Sequence, residues 1–423
     1  MVYKLKKNII TIILVILSTQ IANAKTIKIL ATSNWVSEAE LELSKKFEEE
    51  TGIKVEYELI KASDYRDTLT YYLNVGDTPD IFMGQSGYSD LLSYDIKETA
   101  LDLSNQKWAS RLDPLVAETS SLDGTLYGLT YSNISGSTRA INYNKTLFKK
   151  YNVDAPKSFK ELKKACAIFN KAGIQPIYQP FADVWHQVLM FAELGPNYAA
   201  KTPDLAKTLN QNKATFLENQ AMLKALYQIV DLYKADCFGK TALTDSNADL
   251  PKAFAQGDVA MAFTTITFYN SLKQLDANFD INSIGLFTHP LGDNKHLGIN
   301  PAGPTKFVYA YGENQKEALH YLDFLTSKNN METVLSHPKG KKSLPLINIK
   351  PNFPQYVIDF LDEYREKNGI VLQTAINYIN PQWMDIGADI SKMVQGNITP
   401  ETVLRNIDIR RATAAIEAGD PAW

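Results

Sequence analysis

The sequence predicts an α/β protein with two separate cores, on three observations. Strand-like and helix-like segments alternate from residue 27, and the alternation restarts after residue 140. The chain has 423 residues, 45% of them hydrophobic, and chains beyond about 250 residues usually divide into separate cores. No low-complexity linker separates the halves, so the chain is expected to pass directly between them, more than once.

The first 24 residues read as a cleaved leader. Lys4, Lys6 and Lys7 precede an apolar run from Ile9 to Leu17, broken only by Thr11, and Ala22-Asn23-Ala24 is a small-residue cleavage pattern. Such a run is too short to span a bilayer. The mature chain is expected to begin at Lys25, in the periplasm, without a cysteine there for a lipid anchor. Removing residues 1–24 takes away three lysines and no acid, moving the net charge from −3 to −6. That balance argues against a nucleic-acid partner, which would want a basic face.

Taken in order, Ile27 to Ala31 is a short apolar strand followed by the polar loop Thr32-Ser33-Asn34-Trp35. A helix from about Ser37 carries acids in its first turn and stops at Gly52. Ile53 to Leu59 alternates apolar and polar as a strand does, and Asp64 to Val75 places Tyr65, Leu69, Tyr72 and Leu73 on one helical face. Asp80-Ile-Phe-Met83 reads as a third strand, with Asp77 and Asp80 as turn residues rather than an acid/base pair. The second half repeats the theme. Ala140 to Tyr143 is strand-like, and Ser158-x-x-Glu161 is a capping box opening a helix to Lys171. Ile174 to Tyr178 reads as a strand, Ala221 to Tyr233 as a helix, and Val259 to Phe263 as a strand after Gly257. Further helices are expected at 317–325, 356–364 and 389–394. Gly136 and Gly298 are assigned backbone roles, and Lys339–Lys342 is read as a solvated loop. Cys166 and Cys237 fit either one bridge or two small buried side chains.

Catalytic and cofactor signatures are missing from the sequence. The five histidines include no i, i+4 pair, and neither a dinucleotide fingerprint nor a phosphate loop occurs. Gly84-Gln85-Ser86-Gly87 has its second glycine one place too early for a nucleophile elbow. No catalytic residue, metal or cofactor is therefore assigned. What recurs is aromatic and amide-rich polarity just after strands, where open α/β sheets bind ligands. Asn34 and Trp35 follow the first strand, and Gln85 and Ser86 the third. "YQPFADVW" supplies Gln179, Phe181 and Trp185, while "TTITFYN" follows Val259–Phe263. Aromatic faces suit the C–H faces of a sugar ring, and amides and hydroxyls suit its hydroxyls.

Seven segments in order, "KKFEEETGIKVEYE", "GDTPDIF", "DGTLYGLTYS", "INYNKTLFKKYNVDAPKSFKEL", "FAQGDVAMAF", "EALHYLDFLTS" and "GKKSLPLI", resemble the carbohydrate-binding extracellular solute-binding proteins of ABC importers. The resemblance implies a two-lobed periplasmic-binding-protein fold of type II, with discontinuous lobes joined by hinge crossings. Lobe one would be 25–133 plus 289–343 and lobe two 134–288 plus 344–423, with crossings near 131–133, 287–289 and 343–344. It implies a cleft lined by Asn34, Trp35, Gln85 and Ser86 from lobe one, and by Gln179, Phe181, Trp185, Thr267, Tyr269 and Trp383 from lobe two. Phe181 and Trp185, four apart, would share a helical face, one packing and one meeting ligand. Thr267 stands where maltodextrin binders place a tryptophan. The implied partners are a small carbohydrate and the transmembrane subunits of an ABC permease, with no nucleic acid and a monomeric state. Receptors of the same fold for polyamines or ferric ion, and a secreted glycosidase, are the competing readings.

Overall fold

The computed structural model describes residues 25–423 except Ser33 and Ser63; the expected leader lies outside the described residues. The strands are β1 (Thr26–Thr32), β2 (Lys54–Ile60), β3 (Ile81–Gln85), β4 (Ser121–Leu122), β5 (Thr125–Leu126), β6 (Gly128–Leu129), β7 (Arg139–Asn144), β8 (Gln175–Tyr178), β9 (Val259–Thr265), β10 (Ile284–Phe287), β11 (Leu297–Ile299), β12 (Pro304–Val308) and β13 (Asn368–Ile370). They make a five-stranded sheet, β2-β1-β3-β12-β6, and a four-stranded sheet, β10-β7-β9-β8.

Both sheets are covered on both faces, as the period of two requires. On β1, Ile27, Ile29 and Ala31 face a core with Phe47 of α1 (Glu38–Thr51). Leu30 faces the opposite core with Tyr65 and Leu69 of α2 (Tyr65–Val75). On β9, Met261 and Phe263 pack with the helices Phe159–Lys171 and Gln220–Lys234, and Val259 and Ala262 pack with Phe254 on the other side. The helix ends follow local chemistry. Ser37 caps α1 by accepting from the Glu40 N–H, and Gly52 closes it at φ 73°. Ser158 accepts from the Glu161 N–H, and the Glu161 carboxylate reaches back to the Lys157 N–H at 2.7 Å. Asp80 accepts from the backbone N–H groups of Lys28 (3.0 Å) and Asn314 (3.1 Å), tying β1 to the turn after β12.

Cys166 and Cys237 are bridged, with Cα atoms 5.2 Å apart. The bond ties the helix Phe159–Lys171 to the loop after Gln220–Lys234, where the Cys237 carbonyl accepts from the Ile177 N–H of β8. Closing a loop of this length removes about 4 kcal/mol of unfolded-chain entropy on the polymer model.

The lysine run is a correction. Lys339 is exposed as expected, but Lys341 is 9% exposed and Lys342 7%, so the second half of the segment is buried. Lys341 reaches the Glu40 carboxylate at 3.1 Å, and the fully buried Lys306 of β12 reaches its other oxygen at 2.7 Å. Both ammonium groups lie over the Tyr131 ring, at 5.6 and 5.8 Å from its centroid.

Of the three passages between the sheets, the first overlaps the expected 131–133 and the other two fall later than the motif spacing suggests. Tyr131 still packs in the first lobe and Ala140 in the second, so the first passage occupies 132–138. Leu297 packs in the second lobe and β11 pairs with β13, which leaves 300–303 as the return to β12. Leu344 and Leu346 pack in the first lobe, and Phe353 and Tyr356 in the second. Apolar anchors on either side, not the motifs themselves, decide where the chain leaves a lobe.

Candidate ligand site between the lobes

Asn34 and Trp35 follow β1, Gln85 ends β3 and Ser86 follows it, Gln179, Phe181 and Trp185 lie between β8 and the helix His186–Ala192, Thr267 follows β9, and Tyr269 and Trp383 open the helices Tyr269–Leu275 and Trp383–Val394. In lobe one, Asn34 is exposed and accepts from the Thr32 hydroxyl. Trp35 is half-buried, edge-on to Tyr65 at 5.0 Å between centroids. Gln85 is half-buried, and its N–H donates to the Tyr94 hydroxyl (3.1 Å). Ser86 is buried and stapled to the crossing: its N–H donates to the Gly303 carbonyl and its hydroxyl accepts from the Gly303 N–H, both at 3.0 Å.

Lobe two divides the same way. Trp185 and Trp383 are half-buried and held together, the Trp383 indole N–H donating to the Trp185 carbonyl (3.0 Å). Phe181 is in the core against Tyr233 and Phe238. It does not share a helix with Trp185: 181–183 is a single 3₁₀ turn after Pro180, and Val184 sits at φ 62° before the next helix, His186–Ala192. Gln179 is fully buried and donates to His186 Nδ1 (3.3 Å). Thr267 is buried and donates to the Gly136 carbonyl (2.9 Å), and the buried Tyr269 donates to the Asn352 carbonyl (3.3 Å). Asn34, Trp35, Gln85, Trp185 and Trp383 thus keep open surface, whereas Ser86, Gln179, Phe181, Thr267 and Tyr269 are buried in their own lobes or at the crossings.

Sequence reasoning missed the charged groups among them. Arg66 donates to Asp90 (2.9 Å) on the helix α3 (Tyr88–Ser93), and Asn380 from lobe two donates to the other carboxylate oxygen (2.6 Å). The Asn380 side-chain oxygen accepts from Gln373 (2.6 Å), and Gln373 accepts from Asn300 of the crossing (3.2 Å). Beside this run, the Ser89 hydroxyl accepts from the Tyr378 N–H (2.6 Å). Burial pushes the Asp90 carboxyl up to about 6, while Arg66 and Asn380 pull it down. Asp90 and Asn380 flank predicted positions in "GQSGYSDLL" and "NPQW", but nothing in a single sequence couples residues 290 apart.

In lobe two, a pocket of about 170 Å³ is lined by Arg139, Trp185, His186, Asn247 and Ser271 among others. Behind it Arg139 meets Glu193 at 3.5 Å. Burial raises the Glu193 carboxyl to about 7 against the pull of Arg139. Burial, helped by Arg139, lowers His186 to about 3, so its ring is neutral at physiological pH. Ionisable groups perturbed this far cluster at functional sites. Gly298 has a close-approach role there: a Cβ would lie 2.7 Å from the Glu193 carbonyl oxygen. Among the described residues no three His, Cys, Asp or Glu side chains are grouped to hold a metal ion.

The family model for bacterial extracellular solute-binding proteins matches residues 32–332. A binding protein of Brucella abortus (strain 2308) is 25% identical over 301 residues, 68% of this chain and 68% of its own length. Among solved structures, a chitin oligosaccharide binding protein superposes with TM-score 0.75 at 18% identity, covering 92% of this chain and 99% of that one. A sugar transporter protein of Bacillus licheniformis, in complex with stachyose, gives 0.73 at 18%, covering 92% and 100%. An ABC transporter solute-binding protein of Thermotoga lettingae, bound with α-D-tagatose, gives 0.68 at 20%, covering 92% and 99%. At these identities the likeness establishes the fold, the two-lobed type II periplasmic-binding-protein fold.

Proposed function

Because this chain belongs to the bacterial extracellular solute-binding protein family, we propose that it is the sugar receptor of an ABC importer. It binds a mono- or oligosaccharide between its lobes and delivers it to the transmembrane permease, catalysing no reaction itself. The observation that carries the reading is the Trp185–Trp383 pair, two half-buried indoles joined by a hydrogen bond, one after β8 and one at a helix start in lobe two, with Trp35 and Gln85 at the strand ends of lobe one. Indole faces take the C–H faces of a sugar ring, and amide groups take its hydroxyls. The solved relatives with bound stachyose and tagatose support the ligand class. A ligand that touches both lobes stabilises the closed arrangement by its differential affinity. On this reading the chain is cut after Ala24 and works as a monomer in the periplasm; the basic, apolar and A-x-A pattern of residues 1–24 and the extracellular solute-binding family support an exported protein.

A thermal-shift screen against mono-, di- and oligosaccharides, polyamines and Fe(III) tests this, since a ligand of the native state raises its melting temperature. At least one sugar is expected to shift the melt. A shift with a polyamine or Fe(III), and with no sugar, would overturn the reading.

A further inference from the structure

The lobe-two pocket beneath Trp185 presents donors in excess of acceptors. Arg139 uses one nitrogen, Nη1, for both of its bonds, to the Ser137 carbonyl (3.3 Å) and to Glu193 (3.5 Å). Its Nε and Nη2 make no hydrogen bond among the described residues, although the side chain is only 18% exposed. That edge of a guanidinium is the planar fork that matches the two oxygens of a carboxylate. The Gln179 amide nitrogen occupies His186 Nδ1, so the ring proton sits on Nε2, which has no partner among the described residues. The Ser271 hydroxyl and the Asn247 side-chain amide line the same pocket and are likewise without partners among the described residues.

The acids nearby do not compete for these donors. Asp183 is turned to its own loop, accepting from the Asn247 N–H (2.6 Å) and the Ser246 hydroxyl (3.4 Å). Glu193 stands behind Arg139 outside the pocket lining and makes one long contact. Its burial-raised carboxyl leaves the guanidinium partly uncompensated near neutral pH.

We infer that this pocket receives the carboxylate of an acidic sugar, a uronic acid ring, with Arg139 as the residue that selects it. Trp185 offers a face to the ring, the Nε–Nη2 edge takes the two carboxylate oxygens, and His186 and Ser271 donate to the remaining oxygens. A neutral ring would fill the space with hydroxyls and leave the cationic edge to weaker bonds, since charge-assisted pairs are roughly twice as strong. The inference rests on the sugar-receptor reading.

Its test is calorimetric titration of the purified protein with oligomers of galacturonic, glucuronic and mannuronic acid, each beside its carboxyl-reduced neutral counterpart. One acidic series is expected to bind at least about tenfold tighter than its reduced form. Arg139→Lys, which keeps the charge and loses the fork, is expected to weaken the acidic series at least about threefold more than its reduced counterpart. If Arg139→Lys does not fold, Ser271→Ala replaces it and is expected to weaken the acidic series more than its reduced counterpart, by about two- to tenfold. Equal affinity for acidic and reduced series, or an Arg139→Lys loss of equal size in both, overturns the inference and leaves the sugar receptor standing. Binding of other neutral oligosaccharides with no acidic binding has the same meaning. Binding of no sugar at all brings down the wider reading with it.

Discussion

Each lobe buries an acid among basic side chains, and the two clusters are finished differently. In lobe one, Glu40 is bonded by Lys306, Lys341 and the Tyr57 hydroxyl, and the ammonium groups cover the Tyr131 ring. The Glu40 carboxylate has no free oxygen, and the cluster lies in the wall between α1 and β12. In lobe two, Arg139 and Glu193 share one contact at 3.5 Å, and the Nε and Nη2 groups of Arg139, which lines a pocket, have no hydrogen-bond partner among the described residues. Buried charge is costly wherever it stands. A closed cluster returns that cost as a fixed scaffold, whereas an open one keeps bonding capacity in reserve for something that arrives later.

The sharpest way to break this comparison is to remove the acid from each cluster. Glu40→Gln leaves two buried ammonium groups without a counter-ion and is expected to cost about 3–5 kcal/mol in urea unfolding. Glu193→Gln is expected to cost less than about 1 kcal/mol, because that carboxyl, raised to about 7, has already lost much of its charge near pH 7 and shares one long contact with Arg139. Equal losses would erase the distinction. On the ligand side, Trp383→Ala is expected to weaken sugar binding by at least about 1 kcal/mol with the fold intact; unchanged affinity would take Trp383 out of the site.

The smallest effect is in the pH dependence, where the two acids have opposite signs. Burial raises Glu193 from 4.5 to about 7. The folded form therefore holds a proton that the unfolded chain has released, and stability falls as pH rises between these values. For Glu40, burial raises the carboxyl but the two lysines outweigh it, and the net shift is down from 4.5. Its contribution is present above 4.5 and is lost as pH falls through the folded value. Urea midpoints at pH 5 and 7.5 check this. Glu193→Gln should flatten part of the decline toward pH 7.5, and no change in slope would contradict the assignment.

The same contrast separates what the sequence made legible from what it hid. β1 through β3, with α1 and α2, follow from alternation, capping serines and stop glycines, all of them local. Trp35 and Trp185 stood out because they follow strands, and each keeps open surface. Lys341 was misread because a charge run looks solvated until its partner is known, and Glu40 is 301 residues away. Arg139 and Glu193 escaped notice for the same reason: 54 residues apart, neither carries a motif. Phe181 was assigned to the cleft as an aromatic after a strand, but the turn after Pro180 directs its ring inward.

The Cys166–Cys237 bond also has a consequence for anyone preparing the protein. The segment leaving Cys237 runs to Asn247, and on the way its carbonyls accept from the side chains of Gln175 and Tyr178 and from the Phe181 and Ala182 N–H groups. That segment ends at Asn247, which lines the lobe-two pocket, so one edge of the pocket is tied to a bond that forms only under oxidising conditions. Material produced in a reducing cytosol would mix fastened and unfastened edges, and a titration on it would report fewer than one site per chain. Material recovered from an oxidising compartment would report one.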